Sequence, residues 1–375
     1  MPVTPESVIR TAIRQAGGQL PFDQFMQLAL YAPGTGYYVN GGYKLGANGD
    51  FITAPDLSPL FGQCLANQCA ELLEVMGSGD LLEFGAGSGR MAASILRHLH
   101  TLDRLPAHYL ILDTSPDLRV QQHAYLAQTV PELMPLISWL DHLPETSWRG
   151  IILANELLDA LPVHRVHYTH PAWLEEQVTW QHDRLQSIWA PIQSPALAQA
   201  VRKIPTESLP SGYQTEINLR LAPWLSVITE HLAQGALILI DYGYTATEYY
   251  HPERTDGTLM CYHRHQAHTN PYQRIGQQDI TAHVNFSDLA HAGLDQGLLL
   301  AGFTTQAQFL LGTGLTDLLQ QARQTHPTDE ATLLAAVKQL TLPTMMGERF
   351  KVLGFNKNLA HPWKGFIGTT HHLLL

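Results

Sequence analysis

The residues best suited to chemistry sit in Glu83-Phe84-Gly85-Ala86-Gly87-Ser88-Gly89-Arg90, where an acid is followed by glycines at every second position. Glycine tolerates positive φ and lets a ligand approach the backbone closely, so this turn suits a nucleotide-like cofactor. A dinucleotide turn reads GxGxxG. The GxGxG spacing, with Glu83 two places before Gly85, favours S-adenosyl-L-methionine instead. Gly85, Gly87 and Gly89 would form the turn, and the helix that follows would offer unpaired N–H groups to the ligand's polar end. Glu83 would face the cationic methionine portion directly or through water; favourable placement beside the next helix is its plainer role.

Further candidates stand where apolar runs end. Asp113 closes Tyr109-Leu110-Ile111-Leu112, at the place where open α/β folds bind ribose hydroxyls. Its alternative is a helix cap, for which Ser115 is better placed. Asp141 could reach the adenine amino group, and an exposed turn acid fits it equally. Ile151 to Ala154 delivers Asn155, Glu156 and Asp159 to the carboxyl edge of a sheet, the expected reaction site. The spacing of three predicts one helical face for Glu156 and Asp159, within a helix over 155–161. Capping by Asn155 and helix-dipole placement of the acids are the structural alternatives. Asp241 ends another apolar run. His283 lies within Asp279-Ile280-Thr281-Ala282-His283-Val284 as a cleft candidate, with a buried, hydrogen-bonded role as the alternative. Cys261-x-His263-x-His265-x-x-His268 carries metal-ligand types, but Arg264 intervenes and no second cluster accompanies it. No metal site is assigned there.

These residues need a sheet to hold them. Short apolar runs alternate with helical patterns from Asp80 onward, the mark of parallel βα units in a doubly wound α/β sheet. Strands are predicted at 80–84, 109–113, 137–140, 150–154 and 236–241, with two more at 303–310 and 350–355. Helices are predicted at 89–99, 116–126, 219–233, 315–324 and 330–339. Residues 1–78 read as helices at 6–15, 22–30 and 61–76 around a Gly- and Pro-rich loop, 31–55, that carries Tyr37 and Tyr38. That loop is read as a lid over the cofactor, with Tyr37 a cofactor contact. The expected domains are a 1–78 helical and lid region, a 79–162 cofactor-binding half, a 163–217 antiparallel β-rich insertion around Trp173, Trp180 and Trp189, and a 218–375 remainder with a substrate-side loop at 243–290.

Composition narrows the function classes. A net charge of −11 over 375 residues gives no global footprint for nucleic acid. Three cysteines without CxxC spacing argue against a disulfide framework and fit a reducing, cytoplasmic setting. No apolar run is long enough to span a bilayer, and the first residues lack the pattern of an export signal.

Tyr31-Ala32-Pro33-Gly34-Thr35-Gly36-Tyr37-Tyr38, Gly49 to Asp56, the glycine turn, Asn155 to Pro162, Asp241-Tyr242-Gly243 and Gln278 to Phe286 occur in that order along nearly the whole chain. Together they resemble the MidA-like family, bacterial relatives of a mitochondrial protein arginine methyltransferase that assists assembly of respiratory complex I. The resemblance implies a Rossmann-like class I methyltransferase sheet, S-adenosyl-L-methionine as cofactor, and methylation of an arginine on a partner protein such as a complex I subunit. Three positions depart from the family pattern. Asp56 and Asp113 stand where Glu is usual, preserving charge but shortening reach, and Asn285 replaces an Asp.

On that reading Glu156 and Asp159 grip two guanidinium nitrogens and orient the third, with Asp241 a further candidate. A noncatalytic assembly factor that keeps the cofactor fold is the rival from another class. A base methyltransferase is disfavoured by low basic content and the lack of an Asn-Pro-Pro-Tyr-like element, a dehydrogenase by the glycine spacing.

Overall fold

The computed structural model describes residues 3–40, 53–325 and 327–368. Its centre is a mixed, mostly parallel sheet of seven principal strands: β1 (Asp80–Phe84), β2 (Tyr109–Leu112), β3 (Ile137–Leu140), β4 (Trp148–Asn155), β5 (Leu232–Tyr244), β6 (Leu299–Thr305) and β7 (Phe350–Lys357). They lie in the order β3-β2-β1-β4-β5-β7-β6. β1 to β5 run parallel, and β7 is antiparallel to both β5 and β6. Strand order reverses at β1 and β4, so a crevice opens at their carboxyl ends. Ile151, Ile152, Leu153 and Ala154 of β4 are all buried because helices cover both faces of the sheet.

On one face the helices Pro59–Met76 and Arg90–Thr101 pack together. Gly62 permits that approach, since a Cβ there would lie 2.6 Å from Ser94 Cβ. On the other face helices Leu221–Thr229 and Phe286–Asp295 pack over β5 to β7.

The insertion is antiparallel, as its alternating pattern suggests, with strands at His164–Tyr168, Trp173–Gln181, Arg184–Pro191 and Gln214–Ile217. Leu20 and Pro21 add to this sheet by pairing with Val178 and Gln177. The helix that follows, Phe22–Tyr31, is also fastened by Asp23, whose carboxylate lies 3.2 Å from Arg220. A third small sheet joins Met260–His263 to Gln266–His268 and Asp279–Thr281.

Three expected elements differ. The 303–310 strand is β6 only as far as Thr305, whose side chain accepts from Gln308 N–H and starts helix Gln306–Gly312. The 219–233 helix stops at Thr229, because the chain re-enters the sheet at Leu232. The 155–161 helix is replaced by continuation of β4 to Asn155 and one 3-10 turn at Leu158–Ala160. Of the lid, residues 41–52, including Gly49 to Ile52 of its second motif, lie outside the described residues.

Candidate active site

A cavity opens at the reversal point. β1 and its turn line it with Glu83, Gly85, Ala86, Gly87 and Ser88; β2 adds Asp113 and Thr114; the segment after β4 adds Asn155 to Leu157, Asp159 and Ala160. Tyr31, Tyr37, Tyr38, Tyr242 and Asp279 are also among the lining residues.

The turn is built as its sequence requires. Gly85, Gly87 and Gly89 take φ of +62°, +53° and +77°, the left-handed region that carries a Cβ penalty for other residues. Gly89 does not line the cavity; it packs 3.5 Å from Gln122 Cα, measured from where a Cβ would stand, and begins a helix that has no side-chain cap. Glu83 is fully buried at the end of β1. One carboxylate oxygen accepts from Tyr109 Oη at 2.7 Å, and the other has no hydrogen-bond partner. Burial pushes this carboxyl up to about 7, against the opposing hydrogen bond from Tyr109.

Asp113 is held by its neighbours and still faces the cavity. Its oxygens accept from Ser115 N–H at 2.9 Å and Gln122 Nε2 at 2.8 Å. Gln122 also donates to Gly87 O at 3.1 Å and accepts from Trp139 Nε1 at 2.9 Å, which ties β2, β3 and the glycine turn together. The helix cap is Ser115, whose hydroxyl accepts from Leu118 N–H. Asp56 clamps the entering chain: it accepts from Ser88 Oγ at 3.2 Å and pairs with Arg90 at 3.3 Å.

Glu156 and Asp159 both reach the cavity, though not from one helical face. Glu156 has φ of +50° and stands at the turn itself, bonded by Asn155 Nδ2 at 3.2 Å. Burial, with the charge of Asp159 adding, pushes Glu156 up to about 8. Burial also raises Asp159, whose carboxylate receives a short hydrogen bond from Tyr242 Oη.

Three expected site residues are placed elsewhere. Asp241 is fully buried behind the wall, and one oxygen accepts from the N–H groups of Leu157, Leu158 and Asp159 at 3.1, 2.8 and 3.2 Å. It shapes the loop that presents Glu156 and Asp159; Tyr242, the next residue along the strand, takes the cavity side. His283 packs behind Tyr242, ring centres 5.2 Å apart, and burial lowers it to about 4, so it stays neutral. Asp141 is exposed and pairs with Arg119 at 2.6 Å, away from the lining. Asn285 is a helix cap, accepting from Ser287 and Asp288 N–H. Asp279, Tyr242 and Tyr31 are the lining residues that sequence reasoning passed over as site candidates. Their signal was membership of two family motifs and the start of a third.

Among the described residues, the Cys261 to His268 stretch forms no metal-holding group. No helix among them is long and apolar enough to cross a membrane.

The turn fits S-adenosyl-L-methionine on the chain's own evidence. Gly85 and Gly87 present bare backbone to the cavity, and two buried polar atoms at its edge, Glu83 Oε1 and Asn155 Oδ1, lack protein partners. Comparison with known proteins agrees. A crystal structure of a Burkholderia thailandensis protein bound to S-adenosyl-homocysteine is 38% identical, with TM-score 0.92 over 97% of this chain and 94% of that one. The protein arginine methyltransferase NDUFAF7 of zebrafish mitochondria is 30% identical over 90% of this chain and 83% of its own, and the rat protein of that name 31% over 89% and 80%. A family model of S-adenosyl-L-methionine-dependent methyltransferases matches residues 64–304. The chain belongs to the MidA-like family of class I methyltransferases, and its cofactor is S-adenosyl-L-methionine.

Proposed function

We propose that the protein methylates an arginine nitrogen on a partner protein, such as a respiratory complex I subunit. The observation that carries this reading is the pair of carboxylates, half-buried Glu156 and buried Asp159, lining the same cavity as the glycine turn. The names of the NDUFAF7 relatives support the acceptor class. A cytoplasmic setting is consistent with the three free, buried cysteines.

Bound S-adenosyl-L-methionine supplies an electrophilic methyl group on a sulfonium. Glu83, Asp113 and the turn hold it, and the tyrosine wall excludes water. A guanidinium is a poor nucleophile while its lone pairs are delocalised. Glu156 and Asp159, each accepting N–H bonds, would fix the plane of the fork and turn one nitrogen toward the methyl. As the nitrogen–carbon bond forms and the sulfur–carbon bond breaks, the nitrogen sheds a proton, which an ionised Glu156 can accept.

The test is transfer of labelled methyl from S-adenosyl-L-methionine to a respiratory complex I preparation across pH, followed by hydrolysis to amino acids. Label should appear in methylarginine. Glu156 is mostly protonated at neutral pH in the free protein, so kcat/KM should climb as pH rises through about 8 and level off above it, and Glu156→Gln should abolish that climb. Label in methyl-lysine, or label released as methanol on hydrolysis, would refute the acceptor class. Intact cofactor binding with no transfer would leave a scaffold.

A further inference from the structure

Asp279 is 4% exposed and lines the acceptor end of the cavity. Tyr38 Oη lies 3.0 Å from one of its carboxylate oxygens and 2.9 Å from the other. A hydroxyl has one proton, so it can donate to only one of these oxygens at a time, and Oδ1 also accepts from Ile280 N–H at 2.9 Å. The hydroxyl's near-equal distances put it on the bisector of the carboxylate, the direction from which a planar fork of two N–H groups delivers one bond to each oxygen.

The surroundings fit such an exchange. The segments carrying Asp159 and Asp279 are joined, since Ala282 N–H donates to Asp159 O at 3.0 Å. Two tyrosine–carboxylate pairs therefore stand at one end of the cavity, Tyr242 with Asp159 and Tyr38 with Asp279. Tyr38 also stacks on Tyr31, with ring centres 5.4 Å apart and planes at 20°. Tyr31 is fixed by its own bond to Ala160 O at 3.0 Å. The stack keeps an aromatic face near the carboxylate, and aromatic faces attract cations.

We propose that Asp279 is an acceptor-binding carboxylate and that the Tyr38 hydroxyl is its resident placeholder, displaced when a guanidinium enters. This rests on the arginine reading and deepens it. The guanidinium brings a full opposite charge and two N–H bonds, one to each oxygen, where the Tyr38 hydroxyl brings a single bond and no charge, so the exchange favours the cation. The two residues should then have opposite effects: Asp279 attracts the cation, and the Tyr38 hydroxyl competes with it. A pair that merely braced the wall would respond alike to loss of either partner.

The measurement is calorimetric titration of the S-adenosyl-homocysteine-loaded protein with N-acetyl-arginine amide, beside the neutral citrulline analogue. Asp279→Asn should weaken the arginine probe by about tenfold or more. Tyr38→Phe should bind it more tightly than the wild type, by up to about tenfold. The citrulline analogue should not distinguish the three proteins. Equal weakening in both variants, or an Asp279→Asn affinity equal to wild type, overturns the placeholder while leaving the arginine reading intact. Failure of the wild type to prefer arginine over citrulline defeats both. Affinity for S-adenosyl-homocysteine, unchanged within about twofold, checks that each variant is folded.

Discussion

The two ends of the cavity are built by opposite strategies. The cofactor end comes largely from two consecutive βα units: Glu83, the glycine turn, Asp113 and the Gln122 that ties them together fall within 40 residues of chain. The proposed acceptor end gathers Tyr31 and Tyr38 from the amino-terminal region, Glu156 and Asp159 from the segment after β4, Tyr242 from β5 and Asp279 from a separate small sheet. Local geometry makes the first end robust and self-contained. The second depends on long-range packing, and that is where loops and added domains let one fold serve different acceptors.

Substitutions can test this division. The largest effect belongs to Gly87→Arg, which places a side chain at a φ of +53° on the cavity wall. S-adenosyl-L-methionine affinity should fall by about 100-fold or more, read by calorimetry, with little change in circular dichroism. Retained binding would mean the cofactor does not use the turn. Asp241→Asn should strike the acceptor end alone. It replaces the carboxyl group that accepts from four backbone N–H groups by an amide that can accept on only one atom, and loop displacement of about 1 Å would slow transfer by about 100-fold. Cofactor affinity should stay within about threefold of wild type, and a parallel loss there would show the two ends to be one unit. The smallest effect is expected from Asp141→Ala, an exposed partner of Arg119, which should change cofactor affinity by less than about twofold. A larger loss would return Asp141 to the adenine site.

The same contrast explains what could be read in the sequence. β1 and the glycines after it form one unbroken pattern, and the helix begins at Arg90, where the periodicity places it. The parallel run of β1 to β5 follows from alternating strands and helices, whereas their order in the sheet does not. Glu156 and Asp159 were legible as strand-end acids, but helical spacing gave the wrong geometry because Glu156 adopts a left-handed turn that its residue type does not advertise. Asp241 and Tyr242 show a different limit. Adjacent strand residues face opposite sides, and only the packed sheet decides which of them meets the ligand. Asp279 was the least legible, since nothing in its neighbourhood points to Tyr38, 241 positions earlier in the chain.

The pairing of Leu20 and Pro21 with Gln177 and Val178 also bears on the order in which the protein is assembled during synthesis. The segment that will carry the tyrosines is synthesised early, yet its strand partner follows more than 150 residues later and its carboxylate partner later still. A nascent chain would therefore have its amino terminus unsatisfied while the nucleotide half is already taking shape. Chains cut short between these points should retain a glycine turn and expose an apolar helix, Phe22–Tyr31, of the kind that recruits chaperones.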